Sequence, residues 1–130
     1  MRGFSLVELM VVIGVIAIIN LVMVPSFTSL QRSAKQLSAK SSARQLMIGL
    51  EQYQFMHNAY PEGTAVPMAS VVEVLIQNGI IQSPPVNPYT GQLYRVNDSS
   101  GQIEYSKEAS DQYRINGYGQ DNQELIFSLP

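Results

Sequence analysis

The sequence predicts an α+β chain: a long amino-terminal helix, membrane-spanning in its first half and amphipathic in its second, packed on a small antiparallel sheet of about four strands. Three observations predict it. Phe4 to Val24 is apolar apart from Ser5, Glu8 and Asn20. Apolar residues then recur at helical steps as far as His57. Beyond Pro88, short β-prone stretches alternate with turn residues.

Length and charge bound the organisation. The chain has 130 residues, enough for one small domain once an apolar segment is set aside. It contains no cysteine, which excludes a disulfide framework and a thiolate metal site. The net charge of −2 conceals a polarity. No acid lies between Leu9 and Leu50, where Arg32, Lys35, Lys40 and Arg44 stand. From Glu51 onward nine acids face three bases. Such a chain can attract copies of itself, acidic head to basic stalk, although a solvated helix face and an ordinary acidic domain have the same composition.

Phe4–Val24 is 21 residues, and a helix of that length spans roughly 31 Å at ~1.5 Å per residue, the thickness of a hydrocarbon core. A secretory signal peptide is one reading, but the apolar run is too long and no small-x-small site follows Val24. A plain single-span anchor is a second, and it leaves Glu8 unexplained, because ionisable groups inside a span usually mark function. A third is a segment cut ahead of Phe4 and used twice, in lipid and then in a protein assembly.

Gly3-Phe4-Ser5-Leu6-Val7-Glu8, followed by the apolar run and Pro25, carries that third reading. It resembles the amino-terminal signature of type IV pilins and type II secretion pseudopilins, over about residues 1–30. The resemblance implies a leader at 1–3, cleavage between Gly3 and Phe4 by a prepilin peptidase, and methylation of the Phe4 amine. It also implies that Glu8 pairs with the amino-terminal charge of a neighbouring subunit during filament assembly. A single-pass protein of the inner membrane, amino terminus inside, is implied before assembly, and an extracellular pilus or periplasmic pseudopilus after it. The implied partners are copies of the chain, the peptidase/methyltransferase, the assembly machinery and membrane lipid. Basic residues alone favour the opposite orientation, since Arg32, Lys35, Lys40 and Arg44 outnumber Arg2; the inside amino terminus is what the resemblance implies. Within the run, Gly14 and Pro25 mark a site for a kink or, as in related filaments, unwinding.

Residues 4–25 form the transmembrane or filament-core helix, 26–58 its amphipathic half, and 59–130 the α+β head. Leu30, Ala34, Leu37, Ala43, Leu46, Met47, Leu50, Tyr53 and His57 define the apolar stripe of the second half, opposite Arg32, Lys35, Gln36, Lys40 and Gln45. A second helix is predicted over Ala69–Gln77, stopped by Asn78-Gly79. Strands are predicted at Gln92–Val96, Gln102–Ser106, Tyr113–Tyr118 and Glu124–Ser128. Asn87–Gly91 resembles a loop common in short pilins and major pseudopilins, and a turn explains it equally.

Catalytic chemistry finds little footing. His57 is the sole histidine, expected at the helix end as a structural residue, and no nucleophile elbow, phosphate loop or histidine metal motif is present. No cofactor is expected and no metal, although Asp98, Asp111 and Asp121 are weak calcium candidates lacking the acid density hard cations need. Nucleic acid is not an expected partner, because the basic face would lie inside a filament. The sequence-level expectation is a filament subunit that is not an enzyme. A type II secretion pseudopilin and a membrane-tethered binding domain that never polymerises are the alternatives.

Overall fold

The computed structural model describes residues 2–130; Met1, the first residue of the expected leader, lies outside them. The chain is α+β. Helix α1 runs Leu6–His57, strand β1 Val66–Pro67, helix α2 Met68–Gln77, and strands β2 Ile103–Ala109, β3 Gln112–Tyr118 and β4 Leu125–Leu129. The chain divides into two compact units, residues 1–34 and 35–130.

The described part of the first unit is helical from Leu6, with every side chain exposed. Its most apolar stretch is long and apolar enough to cross a membrane, and none of that stretch is buried. The helix is unbroken through Gly14 and Pro25. Proline removes one N–H from the ladder. Nearby side chains bond to backbone carbonyls: Ser26 Oγ donates to Val22 O at 3.2 Å and Thr28 Oγ1 to Pro25 O at 2.9 Å.

In the second unit the sheet is an antiparallel meander in the order β1-β2-β3-β4. Its inner face is read off the alternation in β2 and β3, where Ile103, Tyr105, Tyr113 and Ile115 are buried. Against them pack Ala39, Ala43, Leu46 and Leu50 of α1, and Val71, Val72 and Leu75 of α2. Small residues on α1 permit close approach; a Cβ at Gly49 would stand 3.2 Å from Leu75. Helix α1 ends where Asn58 takes a left-handed conformation (φ 57°), its N–H bonding to Gln54 O at 2.7 Å. Helix α2 ends at the expected Asn78-Gly79. There Gly79 N–H donates to Ile76 O and Ile80 N–H to Leu75 O, both at 2.9 Å, the paired bonds of a Schellman motif.

Two expectations are corrected. Gln92–Val96 is not a strand: its only ladder contact is an isolated bridge from Leu93 to Val86. Tyr94 N–H donates to Pro85 O at 3.0 Å within that bridge, and the next donor, Arg95 N–H, turns to Asp98 Oδ2 at 3.0 Å instead of extending a ladder. The fourth strand is instead β1, two residues paired with Tyr105 and Glu104 of β2. The second correction concerns α1. Leu37, expected on the packed stripe, is 69 % exposed, and Ile48 and Phe55 are exposed beside it at 71 % and 89 %. The packed face is set by Ala39, Ala43, Leu46 and Leu50, whereas Lys35, Gln36 and Lys40 are half-buried.

Gly101 has φ +66°, and a side chain there would overlap the Tyr89 ring and stand 2.8 Å from Asn87 Oδ1. Gly91, at φ +71°, faces open space. Gly101→Ala therefore combines left-handed strain with overpacking and should cost roughly 2–4 kcal/mol, against about 1 kcal/mol for Gly91→Ala. Urea unfolding of the detergent-solubilised chain, followed by near-ultraviolet circular dichroism, measures the difference.

Candidate functional site

The segment around Gly3, Phe4 and Glu8 is shaped by the start of α1. Residues 2–5 precede the helix and are exposed, so the Gly3–Phe4 peptide lies in accessible, non-helical backbone, the form a peptidase can engage. Ser5 and Glu8 close the helix end reciprocally. Ser5 N–H donates to Glu8 Oε2 at 2.8 Å, and Glu8 N–H donates to Ser5 Oγ at 3.2 Å. This is a capping box. The carboxylate also sits at the positive end of the helix dipole. Glu8 thus has a partner within its own chain. The signal was legible as Ser-x-x-Glu ahead of an apolar run, and Ser5 is the residue sequence reasoning passed over. Gly14 faces open space along α1, and Pro25 lies inside the helix.

The three acidic candidates do not converge. Asp98 Oδ2 accepts from Asn87 Nδ2 at 3.1 Å and from Arg95 N–H. Asp121 Oδ1 accepts from Gln123 N–H at 3.1 Å and Glu124 N–H at 3.4 Å. Their loops are joined by Asn122, which donates to Asp98 O at 2.9 Å and accepts from Gln102 N–H at 2.8 Å. Asp111 is in the β2–β3 turn, at the far end of strands seven residues long, roughly 20 Å away at ~3.3 Å per residue. Among the described residues no three acids or histidines come together as a metal site. The Asp98 loop is organised by Asn87, fully buried, which also donates to Ser100 O at 2.8 Å and accepts from Tyr89 N–H at 2.9 Å. His57 is exposed and stacks on Tyr53 with centroids 4.1 Å apart.

Glu51 is a second residue that sequence reasoning did not single out. It accepts from Tyr60 Oη at 3.0 and 3.1 Å and from Tyr113 Oη at 3.2 Å, tying α1 to the following loop and to β3. Those two rings meet edge to face at 4.7 Å. Tyr105 Oη donates to Pro61 O at 2.8 Å, and Tyr118 Oη to Glu104 at 3.0 Å. No spacing rule announces such a cluster, because its members come from distant parts of the chain. Lys35 Nζ lies 5.8 Å from the Tyr89 ring centre, holding the loop after α2 against α1.

No family model, curated protein or solved structure matches the chain.

Burial raises the pKa of Tyr60, Tyr94, Tyr105, Tyr113 and Tyr118, with the Glu51 carboxylate adding to it at Tyr60 and Tyr113. Because the folded values exceed the unfolded value of about 10, the neutral hydroxyls contribute stability that is complete below pH ~10 and lost as pH rises through the folded values. The ultraviolet absorbance of tyrosinate should therefore lag that of free tyrosine on alkaline titration and rise together with loss of near-ultraviolet dichroism. All seven tyrosines titrating as free tyrosine would contradict this.

Proposed function

We propose that the chain is the precursor of a type IV pilin-like structural subunit, cleaved after Gly3, methylated on Phe4 and polymerised through its amino-terminal helix. The observation that carries this reading is the apolar first half of α1. It is exposed along its length, yet it is headed by Gly3-Phe4-Ser5-Leu6-Val7-Glu8. A surface of that kind needs lipid or other protein around it, and in this reading it has each in turn.

The capping box adds a step to the role of Glu8. In the membrane the carboxylate is held by the Ser5 N–H, a local bond that lowers the cost of placing it near the hydrocarbon. Cleavage turns the Phe4 amide into an ammonium. In a filament the Phe4 ammonium of a neighbouring copy offers Glu8 a charge-assisted bond, stronger than the one to a neutral amide. An unpaired carboxylate in the packed bundle would be heavily penalised, so the pair sets how deep each incoming copy sits. The subunit in this reading is a substrate of the peptidase and performs no chemistry itself. A pseudopilin would be processed identically and differs in what the filament does.

Mass spectrometry of the mature protein should show loss of Met1–Gly3 and one methyl on Phe4; an intact amino terminus removes the processing claim. Glu8→Gln separates the two roles of Glu8, since glutamine keeps the cap and loses the charge. The variant should insert as the natural chain does yet give no filaments in sheared-surface preparations viewed by electron microscopy. Normal filaments from it would refute the ion pair. Ser5→Ala, which removes only the cap, should weaken the helix start by about 0.5–2 kcal/mol.

A further inference from the structure

Asparagine is followed by glycine twice in this chain, at Asn78-Gly79 and Asn116-Gly117. Glycine has no side chain to shield its backbone nitrogen from the preceding asparagine, so both pairs carry the same intrinsic chemistry. The fold places them in opposite surroundings. Asn116 lies in β3, between β2 and β4, opposite Glu104 on one side and Ser128 on the other. Gly117 is buried, and the Phe127 ring fills the space where a Cβ would stand. Turning that peptide requires three strands to separate. Asn78-Gly79 instead closes α2 at the surface. Asn78 is half-buried, and Gly79 is exposed and faces open space. Short-range bonds alone hold the pair. Asn78 N–H and Nδ2 donate to Val74 O at 3.1 and 2.8 Å, and the Gly79 and Ile80 N–H groups complete the Schellman motif. These bonds open with the last turn of a helix and leave the sheet intact.

We propose that Asn78 is a site of spontaneous deamidation, gated by opening of the end of α2, and that Asn116 is protected from it by the sheet. In the closed state Asn78 has ψ 4°, and the Gly79 N–H is engaged with Ile76 O. When the turn opens, the Gly79 nitrogen gives up its proton and bonds to Asn78 Cγ. The bond from Cγ to Nδ2 breaks, and ammonia leaves with that proton. Water then opens the cyclic imide at either carbonyl, giving aspartate or isoaspartate and one more negative charge.

The product acts against its own site. A carboxylate cannot donate to Val74 O, and it stands at the negative end of the helix dipole. The last turn of α2 holds no basic residue to offset it. Isoaspartate also lengthens the backbone by one atom inside the Schellman pair. Leu75, Ile80 and Ile81, which flank that pair, lie against Gly49 of α1. Deamidation therefore loosens the contact of α2 with α1 and distinguishes aged copies of the chain from new ones. None of this depends on the filament reading.

The full-length, detergent-solubilised chain is held at mildly alkaline pH and sampled over days. Each sample is digested with pepsin in acid, which stops the reaction, and mapped by tandem mass spectrometry. Acid at position 78 should accumulate at least about tenfold faster than at position 116, the difference between local and global opening. In strong denaturant the two rates should become alike. Similar rates in the folded chain, or a difference that survives denaturant, would overturn the proposal. Both rates are read on the unsubstituted chain, so the test does not depend on a variant folding. Asn78→Asp should lower the thermal midpoint by roughly 4 °C or more, and Asn78→Ala, which removes the donor without adding charge, by less. An unchanged midpoint for Asn78→Asp would refute the effect on α2.

Discussion

Everything in this chain follows from a helix whose first half has nothing of its own to pack against. At roughly 25 cal/mol per Å² of apolar surface, leaving a 21-residue apolar segment in water is not an available state. Such a segment is stable only with lipid or protein around it, and the core of the head is built from residues 39 onward, independently of it. The division of labour along α1 is the result. From Arg2 to Ala34 every side chain is exposed; from Ala39 onward the helix is the central element of the core of the head.

That arrangement explains how so small a head holds together without a disulfide. About 70 residues follow α1, too few to build a generous core by themselves. The helix contributes Leu46 and Leu50 as apolar mass, and Ala39, Ala43 and Gly49 as room for the sheet and α2 to approach. Polar ties then fix the register: Glu51 with two tyrosines, Tyr105 with Pro61, Lys107 with Glu62, and buried Asn87 with the Asp98 loop. The Glu51–Tyr113, Tyr105–Pro61 and Lys107–Glu62 ties join segments 44 to 62 residues apart, while the shorter-range bonds of Glu51 with Tyr60 and of Asn87 with Asp98 order the loops.

The sequence was informative where structure is local. The extent of α1, the stop at Asn78-Gly79 and the three long strands follow from periodicity and turn chemistry over a few residues. It was uninformative where partners are distant. Gln92–Val96 alternates like a strand, but whether its N–H groups find a ladder depends on Asp98 and Pro85, which the pattern does not encode. Val66-Pro67 is too short to register as a strand and is defined only by β2 beside it. The orientation of α1 was misjudged at Leu37 because a helix with apolar residues on two faces has no unique inside until the head is in place. Of the candidate site, the Ser5–Glu8 box could be read outright, whereas the Glu51 cluster could not.

The brevity of β1 has a consequence for how copies of this chain can and cannot meet. A sheet with free edges risks sticking to other copies, because unpaired backbone groups there invite another strand. On one edge, β1 offers only two residues, one of them Pro67, which has no N–H to give, and the chain turns at once into α2. On the other, β4 is five residues long, and its pairing with β3 is offset at Gly117/Tyr118, which interrupts a regular edge. The head is thereby poorly suited to amyloid-like strand addition, even where copies are crowded together.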